Sequence, residues 1–572
     1  MSVKISRYDY LKVVYERNES EAVKTAVKNL KTDFRRVLDC NPEPPGNAPF
    51  HRIVIGTLGV SEEICRRADI GLLADGEGMP YKEAFLIQEK EGELLIAGSD
   101  RRGTVYGIYE VCGEYLGVSP WHFFADVPVR MKTEVSFHDG FVKTDYPSVE
   151  YRGIFINDEE ELEHWVQRYM GEETIGVKTY EKIFELMLRL KLNYIWPAMH
   201  VNSFNLKKEN GALAERMGIV VGTSHCDMLM RSNNREWKPW LESKGYEGAE
   251  YDFSIPGRNR EILKEYWRES VEQNRDFEVS YTLGMRGIHD SGFETKAFEG
   301  KTGKALLSAK IALLDSVIKA QQEILEDTLS GKTLKTFVPY KEVLELYDSG
   351  LEVPEDLTLI WVNDNYGYVR RYPGEAEKKR SGGNGIYYHN SYWAPPGGSY
   401  LFLCSIPLAH TRNELLKAYE EGIRKIWVTN FGAIKPLEQQ ISFYAALAWE
   451  AGREDALTSR EDLFLEKWID DTFSGGHGAE LAPCLLSFDQ LTNTRKIEQM
   501  DMDAFSQTAY GDEAAGRIHR YEEMFHTVNR IWKALPKEEQ DAFFQMIAMK
   551  FHAAYFTNLM YYYADRSVLC IR

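Results

Sequence analysis

The sequence predicts an α/β protein with a central (β/α)8 TIM-type barrel, an N-terminal α/β domain and a C-terminal helical bundle. Between residues 151 and 432, eight short apolar runs recur, and amphipathic helical stretches lie between several of them. Such alternation favours parallel strands joined by crossover helices. Eight repeats in about 280 residues also fit a barrel in number and length. The alternative, an open doubly wound sheet, would need a glycine-rich phosphate turn after an early strand, and the sequence contains none.

We expect one barrel strand in each of the eight runs. They are YRGIFIND (151–158), NYIWPAM (193–199), GIVVGTSH (218–225), YTLGMRG (281–287), KTFVPYK (335–341), LTLIWVND (357–364), GIYYHNSYW (385–393) and KIWVTNFG (425–432). Residues 180–190 and 304–325 carry apolar side chains at helical spacing and predict two of the crossover helices. The barrel domain is therefore predicted at residues 141–437.

Residues 1–140 predict a smaller α/β domain. The run FHRIVIGTL (50–58) is typical of a strand, and a serine-capped helical pattern follows it. Residues 83–100 alternate around a Glu-Gly turn, which predicts a hairpin. Helical spacing over residues 101–117 ends at a glycine. The stretch 128–140, with a proline and a polar His-Asp-Gly segment, predicts a linker to the barrel.

Residues 438–572 predict a helical bundle packed on the barrel. Segments such as ISFYAALAWEAG and REDLFLEKWIDDTF place apolar residues at i, i+3 and i+4. The last helical stretch, beginning at Asp541, is rich in aromatic residues. An exposed face of that kind needs a covering element, so we expect a homodimer.

Composition and charge exclude several classes of protein. The 69 basic and 88 acidic residues give 69 − 88 = −19, which disfavours nucleic acid and anionic membranes as partners. No run approaches the roughly 18 apolar residues of a membrane span, and the first 20 residues lack the apolar core of an export signal. Seven cysteines without a CxxC pair are typical of reduced thiols. We therefore expect a cytoplasmic enzyme without a metal or cofactor.

Acids and aromatic residues gather where the predicted strands end. Because the carboxyl ends of barrel strands build the active face, these side chains are expected to meet there. The candidates from the strand ends are Asn157, Asp158, Glu159, Trp196, His225, Arg286, Asp290, Tyr340, Lys341, Glu342, Asp364, Asn365, His389, Tyr392 and Trp393. Paired carboxyl groups flanked by flat aromatic faces are what the hydrolysis of a glycosidic bond requires.

Some of these residues have an ordinary structural explanation. Asp158 and Asp364 are placed to cap the helices that follow them. An acid such as Glu342 is favoured in the first turn of a helix by the helix dipole. Trp196 is equally compatible with the barrel core.

A metal site is the weaker interpretation of the histidines. His200, His225 and Asp227 could be drawn together around an ion, but their spacing matches no tight ligand motif. We favour contact with substrate for His225.

The motif series resembles that of glycoside hydrolase family 115, the xylan α-glucuronidases. The resemblance is carried in order by YRGIFINDE, NYIWPAM, GIVVGTSH, TLGMRG, VPYKE, NDNYGYVRR and GIYYHNSYW, and by RGTVYGIYEVCGEYLGVSPWHFFADVPV in the first domain. It implies inverting hydrolysis that releases α-1,2-linked glucuronic acid, or its 4-O-methyl form, from xylan or xylo-oligosaccharides.

The resemblance also implies roles for particular residues. Asp158, Asp290 and Glu342 match acids that are expected to be essential, and Glu114 matches an acid near the join of the first domain and the barrel. Glu342 and Asp290 are expected on one side of the cleft, and Asp158 or Glu159 on the other, about 6.5–9.5 Å apart as inversion requires. Contacts to substrate, including its carboxylate, are expected from Asp252, Asn259, Arg286, Lys341, His225 and His389.

Three segments depart from the family pattern. Asn363 stands where an acid is common, Ile288-His289 replaces Asp-Gly, and Cys226-Asp227 replaces His-Glu. We also expect the chain to lack the C-terminal β-sandwich that the family usually carries. Two competing hypotheses remain: a barrel glycosidase for another uronic acid or side chain, and a noncatalytic saccharide-binding protein. The presence of Asp158, Asp290 and Glu342 argues against a noncatalytic saccharide-binding protein.

Overall fold

The computed structural model describes residues 2–41, 46, 48–157, 159–288, 291–391 and 402–571. Its N-terminal part contains seven strands and three α-helices: β1 (Val3–Ser6), β2 (Leu11–Val14), α1 (Glu21–Leu38), β3 (His51–Thr57), α2 (Glu62–Arg67), β4 (Phe85–Lys90), β5 (Glu93–Gly98), α3 (Arg101–Glu110), β6 (Glu134–Phe137) and β7 (Val142–Asp145). Five of the strands form a mixed sheet in the order β2-β3-β5-β4-β7, and β1 pairs with β6.

The N-terminal domain confirms the predicted hairpin and helices. β4 and β5 are antiparallel, and the turn between them places both Glu91 (φ 58°) and Gly92 (φ 81°) in the left-handed region. Ser61 caps α2 by accepting a hydrogen bond from the backbone N–H of Ile64. The predicted linker is wrong, because β6 pairs with β1, and β7 then adds to the edge of the five-stranded sheet. The chain therefore leaves this domain after Asp145.

The barrel strands alternate with helices along the chain. They are β8 (Tyr151–Phe155), α4 (Glu159–Tyr169), α5 (Val177–Arg189), β9 (Tyr194–Trp196), α6 (Lys208–Met217), β10 (Val220–Val221), α7 (Asn233–Lys244), α8 (Arg258–Asn274), β11 (Ser280–Thr282), α9 (Gly303–Thr328), β12 (Leu334–Phe337), α10 (Glu342–Asp348), β13 (Thr358–Val362), β14 (Asn384–His389), α11 (Leu408–Glu420), β15 (Ile426–Asn430) and α12 (Glu438–Glu450). Each of the eight predicted runs contains or overlaps one of these strands.

The eight strands form one parallel sheet that curls almost into a closed barrel. Their order is β10-β9-β8-β15-β14-β13-β12-β11, and a parallel bridge from Val221 to Val279 joins the two ends. Side chains fill the interior, and the cluster there includes Trp196, Tyr387 and Ile360. The barrel is therefore a packed core with a mouth at the carboxyl ends of its strands, as predicted.

The strands are shorter than the apolar runs that predict them. β10 comprises only Val220 and Val221, although the apolar run extends to His225. Gly222 follows directly, and a Cβ atom there would lie 2.1 Å from the hydroxyl of Tyr194. The last residues of the runs therefore lie in loops above the strands, where they reach the mouth of the barrel.

The predicted helical region divides between the barrel and the bundle. α12 follows the eighth strand, β15, and contacts β8 and α11, so it belongs to the barrel. Five further helices form the bundle: α13 (Glu461–Thr472), α14 (Gly478–Thr494), α15 (Glu513–Ala534), α16 (Lys537–Phe543) and α17 (Met549–Ile571). α17 exposes Phe556, Met560 and Tyr563 by more than half. Pairing of two chains through this face stays a prediction. Within the described ranges, no helix is both long and apolar enough to cross a lipid bilayer.

The N-terminal domain packs against the amino ends of the barrel strands. Arg102 donates from Nε to the carbonyl of Gly218, just before β10, at 2.7 Å. Arg152 at the start of β8 is fully buried and contacts Glu83 at 2.6 Å. This domain therefore lies at the end of the barrel opposite the mouth.

Candidate active site

A small cavity lies at the carboxyl ends of the barrel strands. Its volume is about 190 Å³, below the roughly 300–1,000 Å³ of pockets that enclose drug-sized ligands. The cavity therefore suits a single sugar ring. It is lined by Phe155, Asn157, Glu159, Met199, His200, Ser224, His225, Cys226, Asp227, Tyr340, Lys341, Tyr387, His389 and Asn430.

Two larger clefts lie elsewhere. One, of about 780 Å³, includes Glu150 and Glu278, which precede β8 and β11 at the opposite end of the barrel. Another, of about 650 Å³, lies between α9, α10 and the segment before β13. Size does not locate the active site in this fold, because barrel enzymes use the carboxyl ends of their strands.

Four aromatic rings form the floor and one wall of the small cavity. The rings of Tyr387 and His389 are 4.2 Å apart between centroids, and those of His225 and Tyr340 are 4.8 Å apart. His225 also stacks on Tyr387 at 6.1 Å. His225, Tyr340 and His389 were predicted as substrate contacts, and the fold brings all three together.

The hydrogen bonds of His389 fix its tautomer. Its backbone N–H and its Nδ1 both approach Oδ1 of Asn363, at 3.0 and 2.7 Å. The amide oxygen can only accept, so Nδ1 carries the proton and Nε2 is the acceptor nitrogen. Burial, together with the charges of His225 and Lys341, lowers the pKa of His389 to about 3. The ring is thus neutral at ordinary pH and offers a hydrogen-bonding group rather than a cation.

Glu159 holds the loop after β9. One carboxylate oxygen accepts from the backbone N–H groups of Met199 and His200, both at 2.7 Å, and the other accepts from Val201 at 2.8 Å and Asn202 at 2.7 Å. Burial raises the pKa of Glu159 to about 7, although these donors oppose the shift. Both oxygens face backbone donors, so Glu159 positions one wall of the cavity.

Replacing Glu159 by Gln is expected to loosen this wall. The amide NH2 would face two backbone donors instead of accepting from them, and each buried N–H left without a partner costs about 1–3 kcal/mol. We expect faster hydrogen exchange at residues 199–202 and a higher KM. The matched control is Glu161→Gln, an exposed position on the same helix. Unchanged exchange in the Glu159 variant would contradict this anchoring role.

Asp227 is a second carboxyl group that lines the cavity. It is 6% exposed, and its Oδ2 lies 3.3 Å from the hydroxyl of Ser224 and 3.6 Å from the sulfur of Cys226. Burial, reinforced by the neighbouring Glu159 and Glu236, raises the pKa of Asp227 well above its ordinary value. This environment therefore favours the protonated form of Asp227.

Glu342 and Arg286 form an ion pair beside the cavity. Nε and Nη2 of Arg286 approach the two carboxylate oxygens of Glu342 at 3.0 and 3.1 Å, and the backbone N–H of Phe293 donates to Glu342 at 3.1 Å. Arg286 is 3% exposed, whereas the Glu342 side chain is 28% exposed. The guanidinium therefore orients Glu342. Its predicted contact with substrate stays a prediction.

Lys341, which precedes Glu342, has a strained backbone. Its φ of 54° and ψ of −127° fall in a region that residues with a side chain rarely adopt. Strain of this kind is kept where the surroundings fix it, often at functional sites. The Lys341 ammonium lies 5.3 Å from the ring centre of Tyr340, and both residues line the cavity.

Several predicted contacts lie away from the cavity. Trp196 is fully buried in the barrel interior and donates to the Tyr194 hydroxyl at 2.9 Å. Its prediction as a substrate contact is wrong, because β9 directs the ring into the layer below the mouth. Asp252 accepts from the backbone of Ser254 and of Lys296, so it ties two loops together.

Asp364 closes its own turn. One oxygen accepts from the backbone N–H groups of Tyr366 and Tyr368, both at 2.9 Å, and the other contacts Arg370 at 2.6 Å. Asn365 is exposed beside it. Neither residue lines the cavity in the described part of the chain, and Asp364 is a loop-forming residue.

Glu114 lies in the N-terminal domain, far along the chain from the strand ends. Its side chain is 46% exposed and approaches Lys467 of α13 at 3.5 Å. It is not among the described residues that line the cavity, because its domain packs on the other end of the barrel.

Of the remaining predictions, Asp158, Asp290, Tyr392 and Trp393 lie outside the described residues.

Eight of the fourteen residues that line the cavity are absent from the predicted site, and three of them show why. Asn430 ends the eighth run, and the strand-end rule would have found it. Tyr387 precedes His389 by two positions, so both point to the same face of β14. Asp227 follows a strand end by several residues, and nothing in the sequence showed that its loop turns inward. Among the described residues, no group of three or more acidic, histidine or cysteine side chains could hold a metal ion.

The family model of glycosyl hydrolase family 115 matches residues 144–499, more than half of the 572 residues. The chain belongs to glycosyl hydrolase family 115. A solved 4-O-methyl-α-glucuronidase of the family, with specificity for decorated arabinogalactans, is 32% identical with a TM-score of 0.86, and the alignment covers 99% of this chain and 74% of that one.

Two further relatives are more distant. The probable alpha-glucuronidase A of Aspergillus clavatus is 24% identical to this family 115 chain over 209 residues, which are 35% of this chain and 22% of that protein. The match thus spans about a fifth of that relative's length. A family 138 enzyme that targets pectin rhamnogalacturonan II has a TM-score of 0.56 at 13% identity, covering 97% and 87% of the two chains. This likeness shows the fold alone.

Proposed function

We propose that this family 115 chain is an inverting α-glucuronidase that releases a terminal α-1,2-linked glucuronic acid, or its 4-O-methyl form, from a plant polysaccharide or its oligosaccharides. The observation that carries the proposal is a ring-sized cavity at the barrel mouth, lined by strand-end residues that match the family motifs. A cavity of this size binds one terminal sugar ring and leaves the rest of the chain outside.

The cavity offers both kinds of contact that a glucuronosyl ring needs. Tyr340 and Tyr387 present flat apolar faces, and the Lys341 ammonium provides positive charge for the sugar carboxylate. His389 supplies a neutral acceptor nitrogen for a hydroxyl group.

The reaction requires a carboxylate that takes a proton from water. In its ion pair with Arg286, Glu342 is an oriented carboxylate, and we assign it this role. Asp158 and Asp290 belong to the proposed acid set through the family motifs.

Two polysaccharides are candidate substrates. Xylan is the substrate class that the motif resemblance implies. Decorated arabinogalactan is the second candidate, because the solved family member at 32% identity acts on it. The cavity holds only the terminal ring, so contacts outside it choose between the two backbones.

The proposal predicts release of glucuronic acid from at least one of these substrates. The purified chain is incubated with aldouronic xylo-oligosaccharides and, separately, with glucuronic-acid-decorated arabinogalactan oligosaccharides, and the product is followed by proton NMR. Inversion at an α-linkage delivers the β-anomer first. Initial α-anomer would contradict inversion, and no release from either substrate at micromolar enzyme would favour the saccharide-binding alternative.

A further inference from the structure

We propose that Asp227 is the general acid of this cavity, the group that protonates the glycosidic oxygen as the bond to the glucuronosyl ring breaks. The inference rests on the proposed function and assigns the proton donor within it. Asp227 stands in one of the segments that depart from the family pattern, directly after Cys226.

The carboxyl groups of the cavity differ in how their oxygens are hydrogen-bonded. Among the described residues, Glu159 and Asp227 are the two carboxyl groups that line the cavity. Each oxygen of Glu159 accepts two backbone N–H groups, so a proton on either oxygen would displace a donor. Asp227 has no such constraint. Its Oδ2 accepts from two side chains, and those bonds leave the other oxygen to carry a proton.

The surroundings of Asp227 are buried and acidic. A general acid must hold its proton until the transition state, and a buried carboxyl group beside other acids does so. Glu236, which is 1% exposed on α7, adds negative charge near Asp227, although Arg231 pairs with it at 2.7 Å. Among the described residues, the titratable and charged groups that face Asp227 or share its cavity are Glu159, Glu236, Cys226, His200, His225, Tyr251, Tyr266, Tyr340, Lys341, Tyr387 and His389.

Hydrogen bonds hold the loop that carries Asp227. The hydroxyl of Thr223 donates to the backbone carbonyl of Asp227 at 2.5 Å. The backbone carbonyl of Thr223 in turn accepts from the hydroxyl of Thr282 of β11 at 2.6 Å. Asn233 of α7 donates to the carbonyl of Cys226 at 3.0 Å. The loop is thus fixed to a barrel strand and a barrel helix, which gives the carboxyl group the defined position that proton transfer requires.

In the proposed step, one proton leaves Asp227 and one proton reaches Glu342. The proton of the Asp227 carboxyl group moves to the glycosidic oxygen as the bond between that oxygen and C1 breaks. A water oxygen bonds to C1 from the opposite face and loses its proton to the Glu342 carboxylate. After both products leave, the proton on Glu342 returns to Asp227 through solvent.

The test uses two substrates that differ in their need for a proton. An aldouronic oligosaccharide leaves as a sugar hydroxyl and needs the acid, whereas α-D-glucuronosyl fluoride leaves as fluoride and does not. In Asp227→Asn, kcat on the oligosaccharide is expected to fall by about 10²–10⁴, the usual contribution of a general acid. On the fluoride it is expected to fall less than about tenfold.

The pH profile gives an independent readout. Activity on the oligosaccharide falls as the pH rises through the pKa of the acid, so the wild-type profile has an alkaline limb that Asp227→Asn lacks. Asp227→Glu keeps the carboxyl group and is expected to recover part of the activity and the limb. Asp227→Ser serves as a second variant if the Asn protein does not fold.

Two results would overturn the assignment. An equal loss on both substrates would make Asp227 a binding or structural residue, and an unchanged rate on the oligosaccharide would remove it from the reaction. Failure of the proposed function is separate, because it is seen in the wild-type protein as no glucuronic acid from any oligosaccharide.

Discussion

Glu342→Gln is expected to lower kcat/KM on a glucuronic-acid-bearing oligosaccharide by about 10²–10⁴. The amide cannot take a proton from water. It also removes the negative charge that the guanidinium of Arg286, which is 3% exposed, contacts in the wild type. Removing the opposite charge beside a buried guanidinium destabilises a protein. We therefore expect a lower melting temperature together with the loss of turnover.

The matched control is Glu345→Gln, one turn later on α10 and exposed. It is expected to keep both turnover and melting temperature. Steady-state rates on the oligosaccharide and thermal unfolding are measured for both variants. A Glu342 variant with near-normal turnover would remove this residue from the catalytic set, whatever its stability.

Glu83→Ala is expected to give the largest loss of stability. Glu83 accepts from Arg152 at 2.6 Å and from Asn193 at 2.9 Å, and both of these partners are fully buried. Without Glu83, the Arg152 charge stays buried without its partner, which costs about 3–5 kcal/mol. Because these residues join the N-terminal domain to the start of β8, the interface between domain and barrel loosens.

The loss of stability in Glu83→Ala is expected to depend on pH. Burial alone would raise the pKa of Glu83, but Arg152 and Arg102 outweigh it and lower the pKa below its ordinary value. A carboxyl group with a depressed pKa stabilises the fold above its unfolded pKa of about 4.3, and this contribution is lost as the pH falls through the folded pKa. The difference between wild type and Glu83→Ala should be largest at neutral pH and shrink in acid.

The neighbouring Lys82→Ala is the control for this prediction. Lys82 pairs with Glu150 at 2.6 Å, but its side chain is 76% exposed. Exposed pairs contribute about 0–1 kcal/mol. Chemical unfolding of both variants at pH 7 and pH 4 measures the difference. Equal losses for Lys82 and Glu83 would contradict the importance of burial at this junction.

The strands of the barrel could be predicted from the sequence because parallel strands covered by helices are continuous apolar runs. The same rule placed His225, Tyr340, Lys341 and His389 at one mouth, since consecutive parallel strands end at the same edge of the sheet. This rule does not tell which strand side chains fill the barrel interior and which reach the cavity at the mouth. Trp196 and Tyr387 both lie on strands, yet Tyr387 reaches the cavity floor and Trp196 fills the interior.

The sequence by itself determined the barrel, its eight strands and the edge at which the polar residues collect, because these follow from local patterns and chain order. The tertiary structure decided which carboxyl groups accept hydrogen bonds from backbone N–H groups and which line the cavity. Asp364 closes its own turn and Glu159 binds a loop that begins forty residues later. Asp227 enters the cavity because β10 ends after two residues. Long-range packing sets these outcomes, and no local pattern encodes it.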